Sequence, residues 1–97
     1  MSASRRLDVA LALVSKGDYI AAIDVARAAL AADSEWDEAH FSLGDMYERA
    51  GEHENAIEAF RQYLLLDPAD RMGAEVRLTL LGATALRDRL PPDYVVR

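Results

Sequence analysis

Two amphipathic segments joined at a glycine fill residues 37–70, DEAHFSLGDMYERAGEHENAIEAFRQYLLLDPAD, and an Asp-Pro pair closes them. Phe41, Leu43, Gly44 and Tyr47 recur at roughly helical spacing in the first segment, as do Ala56, Ile57, Phe60 and Leu64 in the second. This spacing predicts two antiparallel helices. Gly44 and Ala56 carry almost no side chain, so two helix backbones can approach closely while Tyr47 and Phe60 fill the space alongside. The pattern is a rule for packing and contains no chemistry.

Leu43, Gly44 and Tyr47 in the first helix, Gly51 at the turn, Ala56 and Phe60 in the second helix and Pro68 at the exit stand at characteristic places. In these residues the stretch resembles the tetratricopeptide repeat family, whose unit is a helix-turn-helix of about 34 residues. Two sites depart: His40 replaces the family's usual aromatic residue, and Tyr63 replaces a small one. The resemblance implies an architecture and a role in binding, and it leaves the ligand open.

One repeat length earlier the same grammar appears in weaker form. Gly51 maps to Gly17, His53 to Tyr19, Ala56 to Ala22, Gly44 to Ala10 and Tyr47 to Leu13, but Phe60 maps to Ala26 and Pro68 to Ser34. Residues 1–36 therefore read as a degenerate first repeat, with helices over 4–15 and 19–32. Gly17 suits a left-handed turn residue and Asp18 an N-cap. The alanines Ala26, Ala28, Ala29, Ala31 and Ala32 favour helix and offer little bulk, which suits close packing on the next helix.

Ser34 precedes Asp37 at the spacing of a capping box, and Trp36 beside it is expected to pack on the adjacent helices. Beyond Pro68, residues 71–82 are helical by pattern, with Asp70 as cap and Gly82 as stop. Arg77 falls where a further repeat wants an apolar residue, so this helix reads as a terminal cap of the array. Residues 83–97 read as a tail or linker, with Pro91 and Pro92 breaking any further helix. The expected fold is all-α: two helix-turn-helix repeats and a capping helix, which the resemblance implies stack as a right-handed array.

A second resemblance rests on Asp67, Pro68, Asp70, Arg71, Gly73, Ala74, Leu78, Leu81 and Gly82, then Pro92, Tyr94 and Val95. This part is similar to the junction in certain bacterial proteins where a short tetratricopeptide array precedes an S-adenosylmethionine-dependent methyltransferase domain. It implies that these residues form the N-terminal module of a longer enzyme. The chain itself has no Gly-rich strand-to-helix turn of the kind that binds such a cofactor, so no cofactor is expected here.

Charge and composition exclude several classes. The formal charge is −6, and the basic residues are scattered without a cluster, so a phosphate backbone is repelled and no nucleic acid is expected as partner. There is no cysteine, which removes disulfides, thiol nucleophiles and thiolate metal sites and suits a cytoplasmic location. The apolar run from Val9 to Val14 behind Arg5 and Arg6 is short for a signal peptide, lacks a cleavage site and reads as a helix. No stretch reaches the roughly 20 apolar residues needed to span a bilayer. His40 and His53 have neither metal-binding spacing nor partners, and no pair of acidic residues is set against a pocket by pattern, so neither a metal nor catalysis is expected.

The resemblance also implies that the first helix of each pair lines a concave groove. The groove residues are then Leu7, Leu11 and Val14 from the first unit and Glu38, Phe41, Asp45 and Glu48 from the second. Such a groove is apolar at one end and acidic at the other, and the expected partner is an amphipathic or basic segment of a protein. A homodimer through Leu7, Leu11 and Val14 is the alternative. Some proteins of the family hold a chaperone's terminal carboxylate with Lys, Arg and Asn; Leu7, Leu11, Ser42, Met72 and Val76 occupy those places here, so that activity is not implied. Charge reversal at Asp45 and Glu48 is expected to weaken binding and leave folding intact.

Overall fold

A computed structural model describes residues 2–89, with side chains through Gly82. It contains five helices: α1 Ala3–Ser15, α2 Tyr19–Ala32, α3 Asp37–Arg49, α4 His53–Leu65 and α5 Met72–Arg89. Each packs on its neighbours in the chain, and no strand occurs among the described residues.

The two repeat turns are built alike. Gly17 and Gly51 take φ of 79° and 80°, a conformation in which an L side chain is strained. Around Gly17, the Gly17 N–H donates to the Val14 carbonyl at 2.9 Å and the Asp18 N–H to the Leu13 carbonyl at 3.0 Å. Around Gly51 the same pair recurs, Gly51 to Glu48 at 3.1 Å and Glu52 to Tyr47 at 2.9 Å. These bonds satisfy carbonyls that a helix end otherwise leaves open. Asp18 then caps α2 as the sequence predicts, its carboxylate accepting from the Ala21 N–H at 3.3 Å.

The core divides by residue size. In the first part, alanines 10, 22 and 26 are fully buried with Ile23, Leu43, Met46 and Ala59. In the second, Phe60 is the centre, with Ala56, Tyr63, Ala74 and Leu81 around it. A Cβ added at Gly44 would lie 2.8 Å from the Phe60 ring, so the glycine is what lets α3 and α4 close over the largest fully buried side chain. Burying that ring stabilises the pair by about 2 to 3 kcal/mol.

Three expectations at helix ends are corrected. Trp36, half-buried, stands at the N-cap of α3 with no side-chain cap bond, so Ser34 forms no capping box. Residues 33–36 close their own turn instead: the Asp33 carboxylate accepts from the Glu35 N–H at 3.3 Å, and the Asp33 carbonyl from the Trp36 N–H at 3.4 Å. The Ser34 carbonyl lies 2.9 Å from His40 Nε2, which explains the histidine at an aromatic site of the pattern. Asp70 does not cap α5, because the first helical bond of that helix runs from the Glu75 N–H to the Arg71 carbonyl at 3.0 Å.

Gly82 does not stop α5, which continues to Arg89. Among the glycines only Gly17 and Gly51 have the positive φ that a helix-ending glycine uses. One interior glycine costs about 1 kcal/mol, which good helix formers such as Ala83, Ala85 and Leu86 offset. The proposed break at Pro91 and Pro92, and Tyr94 and Val95 of the second resemblance, lie outside the described residues.

Gly44→Ala is therefore expected to destabilise by about 1 to 3 kcal/mol, since the fully buried Phe60 has nowhere to move. Gly82→Ala, at an exposed helical position facing open space, is expected to stabilise by about 0.5 to 1 kcal/mol. Urea unfolding of both variants checks the opposite signs.

Candidate functional site

The face of α3 that carries Glu38, Phe41, Asp45 and Glu48 runs from an aromatic cavity at one end to an ion-pair cluster at the other. Phe41 is half-buried. Its ring meets Phe60 edge to face at 5.3 Å and Tyr63 at 5.2 Å, so it cannot rotate freely.

A cavity of about 330 Å³ opens beside this ring, lined by Asp37, Glu38, Phe41, Tyr63, Ala69 and Asp70. The loop after α4 forms its far wall and is held at several points. The Tyr63 hydroxyl donates to the Asp70 carbonyl at 2.6 Å. Arg71 donates to the Leu64 carbonyl at 3.2 Å and to the Asp67 carboxylate at 3.3 Å, while Asp67 takes the left-handed conformation with φ of 52°. Pro68, next in the chain, is buried. Burial raises the pKa of the Tyr63 phenol, and the negative charges of Asp70 and Asp37 raise it further.

The acidic end of the expected groove is not free. Arg77 of α5 donates to Glu48 at 2.8 Å and to Asp45 at 3.1 Å, and Arg49 donates to the other oxygen of Asp45 at 2.9 Å. Two carboxylates and two guanidiniums thus cancel. The Glu48 hydrogen bond, followed by that of Asp45, raises the Arg77 pKa against the opposing effect of desolvation. Asp45 raises that of Arg49, by hydrogen bond and by charge. The basic residue at an expected apolar position is therefore the clamp that ties α5 to α3. The expectation that charge reversal at Asp45 and Glu48 leaves folding intact is corrected: it would place like charges beside one another and free Arg77.

The first unit supplies less than expected. Leu7 is only 3% exposed, so it belongs to the chain's own core and not to the groove. Val14 is half-buried against the alanine-rich cluster, and Leu11 is the accessible one, at 43%. Glu38 is exposed. Among the described residues, no group of three His, Cys, Asp or Glu side chains is placed to hold a metal ion, and no helix is long and apolar enough to cross a membrane.

Tyr63, Ala69, Asp70, Asp37 and Arg77 were not expected at a site. The signal for two of them was in the sequence: Tyr63 is larger than the repeat pattern wants, and Arg77 is charged where an apolar residue is wanted. Both departures are used here, one as a cavity wall and one as a clamp.

Two outcomes follow. Replacing Arg77 by Gln is expected to cost about 1 kcal/mol at low salt, since its partners are partly exposed, and less at about 1 M salt; urea unfolding at the two ionic strengths checks it. Tyr63→Phe is expected to cost about 1 kcal/mol near neutral pH. Because the folded phenol holds its proton more tightly than an unfolded one, that contribution is complete below about pH 10 and is lost as the pH rises through the folded pKa. The gap between wild type and variant in unfolding midpoint should narrow above that pH.

Compared with known families, the chain matches the family model described as tetratricopeptide repeat over residues 7–71. No curated protein matches the chain.

Proposed function

Because the chain belongs to the tetratricopeptide repeat family, we propose that it is a non-catalytic interaction module of the cytoplasm that seats a segment of a partner protein along the face of α1 and α3. Stacked helical repeats present extended surfaces suited to this task. The observation that carries the reading is apolar surface that the fold itself leaves open, exposed Leu11 on α1 and half-buried Phe41 with its cavity on α3. An amphipathic segment suits it, with apolar side chains on Leu11, Val14 and Phe41 and polar ones near Glu38. Asp45 and Glu48 contribute less to a cationic partner than their charge suggests, since Arg77 already holds both. A homodimer through Leu7 and Leu11 is not proposed, because Leu7 is buried within its own chain.

A second reading places the module at the front of a longer methyltransferase, recruiting or regulating its substrate. Of the residues that support it, Asp67, Pro68, Asp70 and Arg71 fall within the repeat match, which ends at residue 71, and those from Gly73 to Gly82 and from Pro92 to Val95 lie beyond it. A native gene product several times heavier than 10.7 kDa on a denaturing gel would favour it.

Selection of segments from a displayed library of peptides tests the primary reading. Bound peptides are expected to shift the amide signals of Leu11, Glu38 and Phe41 and to lose about tenfold in affinity with Leu11→Glu. A footprint confined to α2 and the outer face of α4 would contradict it.

A further inference from the structure

We propose that the cavity at the start of α3 is a receptor for one arginine side chain of the bound segment. This rests on the groove reading above and adds the chemistry of one subsite. The walls Phe41, Tyr63 and Ala69 are apolar, and the rim carries Asp37, Glu38 and Asp70. The two ends of the α3 face differ in charge balance. Asp45 and Glu48 are neutralised by Arg77 and Arg49, whereas none of the three rim carboxylates joins an ion pair among the described residues. The negative potential of this face is therefore concentrated at the cavity, where an incoming cation would find its complement.

Local helix chemistry accounts for only part of the rim. Asp37 accepts from the Glu38 N–H at 2.7 Å, and both residues stand in the first turn of α3, where negative charge is favoured. Asp70 lies in no helix. Its carbonyl accepts from the Tyr63 hydroxyl at 2.6 Å, which ties the loop to the rim. Asp70 and Asp37 line the same cavity as the Tyr63 ring, so both carboxylates stand about one aromatic group.

An arginine fits this combination better than a lysine. Its planar guanidinium is weakly hydrated, packs on aromatic rings and offers several donors to carboxylates on different sides, whereas an ammonium is compact and strongly hydrated. The Phe41 ring, braced by Phe60 and Tyr63, supplies a surface that does not collapse into the cavity.

The test is a nuclear magnetic resonance titration of the intact chain with N-acetyl-arginine amide, beside its citrulline and lysine counterparts. The expected result is shifts centred on the Phe41 and Tyr63 rings and Ala69, at least fivefold weaker affinity for the citrulline and lysine compounds, and a similar loss in the Glu38→Gln, Asp70→Asn double variant. That variant leaves the Asp37 bond to the helix intact, and its amide spectrum verifies the fold. Equal binding of citrulline, equal or tighter binding of lysine, no binding, or shifts spread over Glu52, Glu54 and Glu58 would each overturn the proposal. Library peptides that occupy the groove unchanged when arginine becomes citrulline would overturn the subsite and leave the groove reading standing. Arginine amide in the cavity with no peptide footprint on the groove would do the reverse.

Discussion

The contact between Phe60 and the bare backbone of Gly44 sets the separation of α3 and α4, and much else depends on it. Phe60 is fully buried, and its ring occupies the space that a Cβ at Gly44 would need. With the two helices at that distance, Phe41 meets both Phe60 and Tyr63 edge to face from the side. The same aromatic group therefore serves the core at its centre and the surface at its edge. In the first unit, where Ala26 stands in place of Phe60, the helices close on alanines and no comparable aromatic group forms.

Electrostatics then divide the α3 face. Arg77 reaches from α5 to Asp45 and Glu48, turning what is nominally an acidic surface into a neutral clamp between helices. Exposed ion pairs contribute little singly, but this one joins two carboxylates to two guanidiniums across two helices, so its role in positioning exceeds its role in stability. The acidity that remains accessible on this face lies at the other end, around the cavity. A surface that is selective for a segment of one polarity is a consequence of where the countercharges sit, and the count of acidic residues alone does not reveal it.

Helix positions were legible in the sequence because they rest on local rules. Gly17 and Gly51 mark the turns, Asp18 caps α2, and the small and large residues of the second repeat fall where the packing needs them. Ser34 misled because α3 starts two residues later than that cap requires, with Trp36 at its N-cap and residues 33–36 closing a turn of their own, and Gly82 misled because a glycine ends a helix only when the chain takes a left-handed turn there. The groove was read with less success. Leu7 is buried, and the partner of Asp45 and Glu48 lies about thirty residues away, a distance over which periodicity carries no information. Tyr63 and Arg77 were visible only as departures from the repeat pattern, and their use required knowing which side chains face them.

A double-mutant cycle between Gly44 and Phe60 tests the central contact most directly. Phe60→Leu opens space next to Gly44, so Gly44→Ala should be tolerated in that background better than in the wild type. The expected result is a combined destabilisation smaller than the sum of the two single effects by at least about 1 kcal/mol. Simple additivity would mean that the glycine and the ring do not share the space, and that something else sets the distance between α3 and α4.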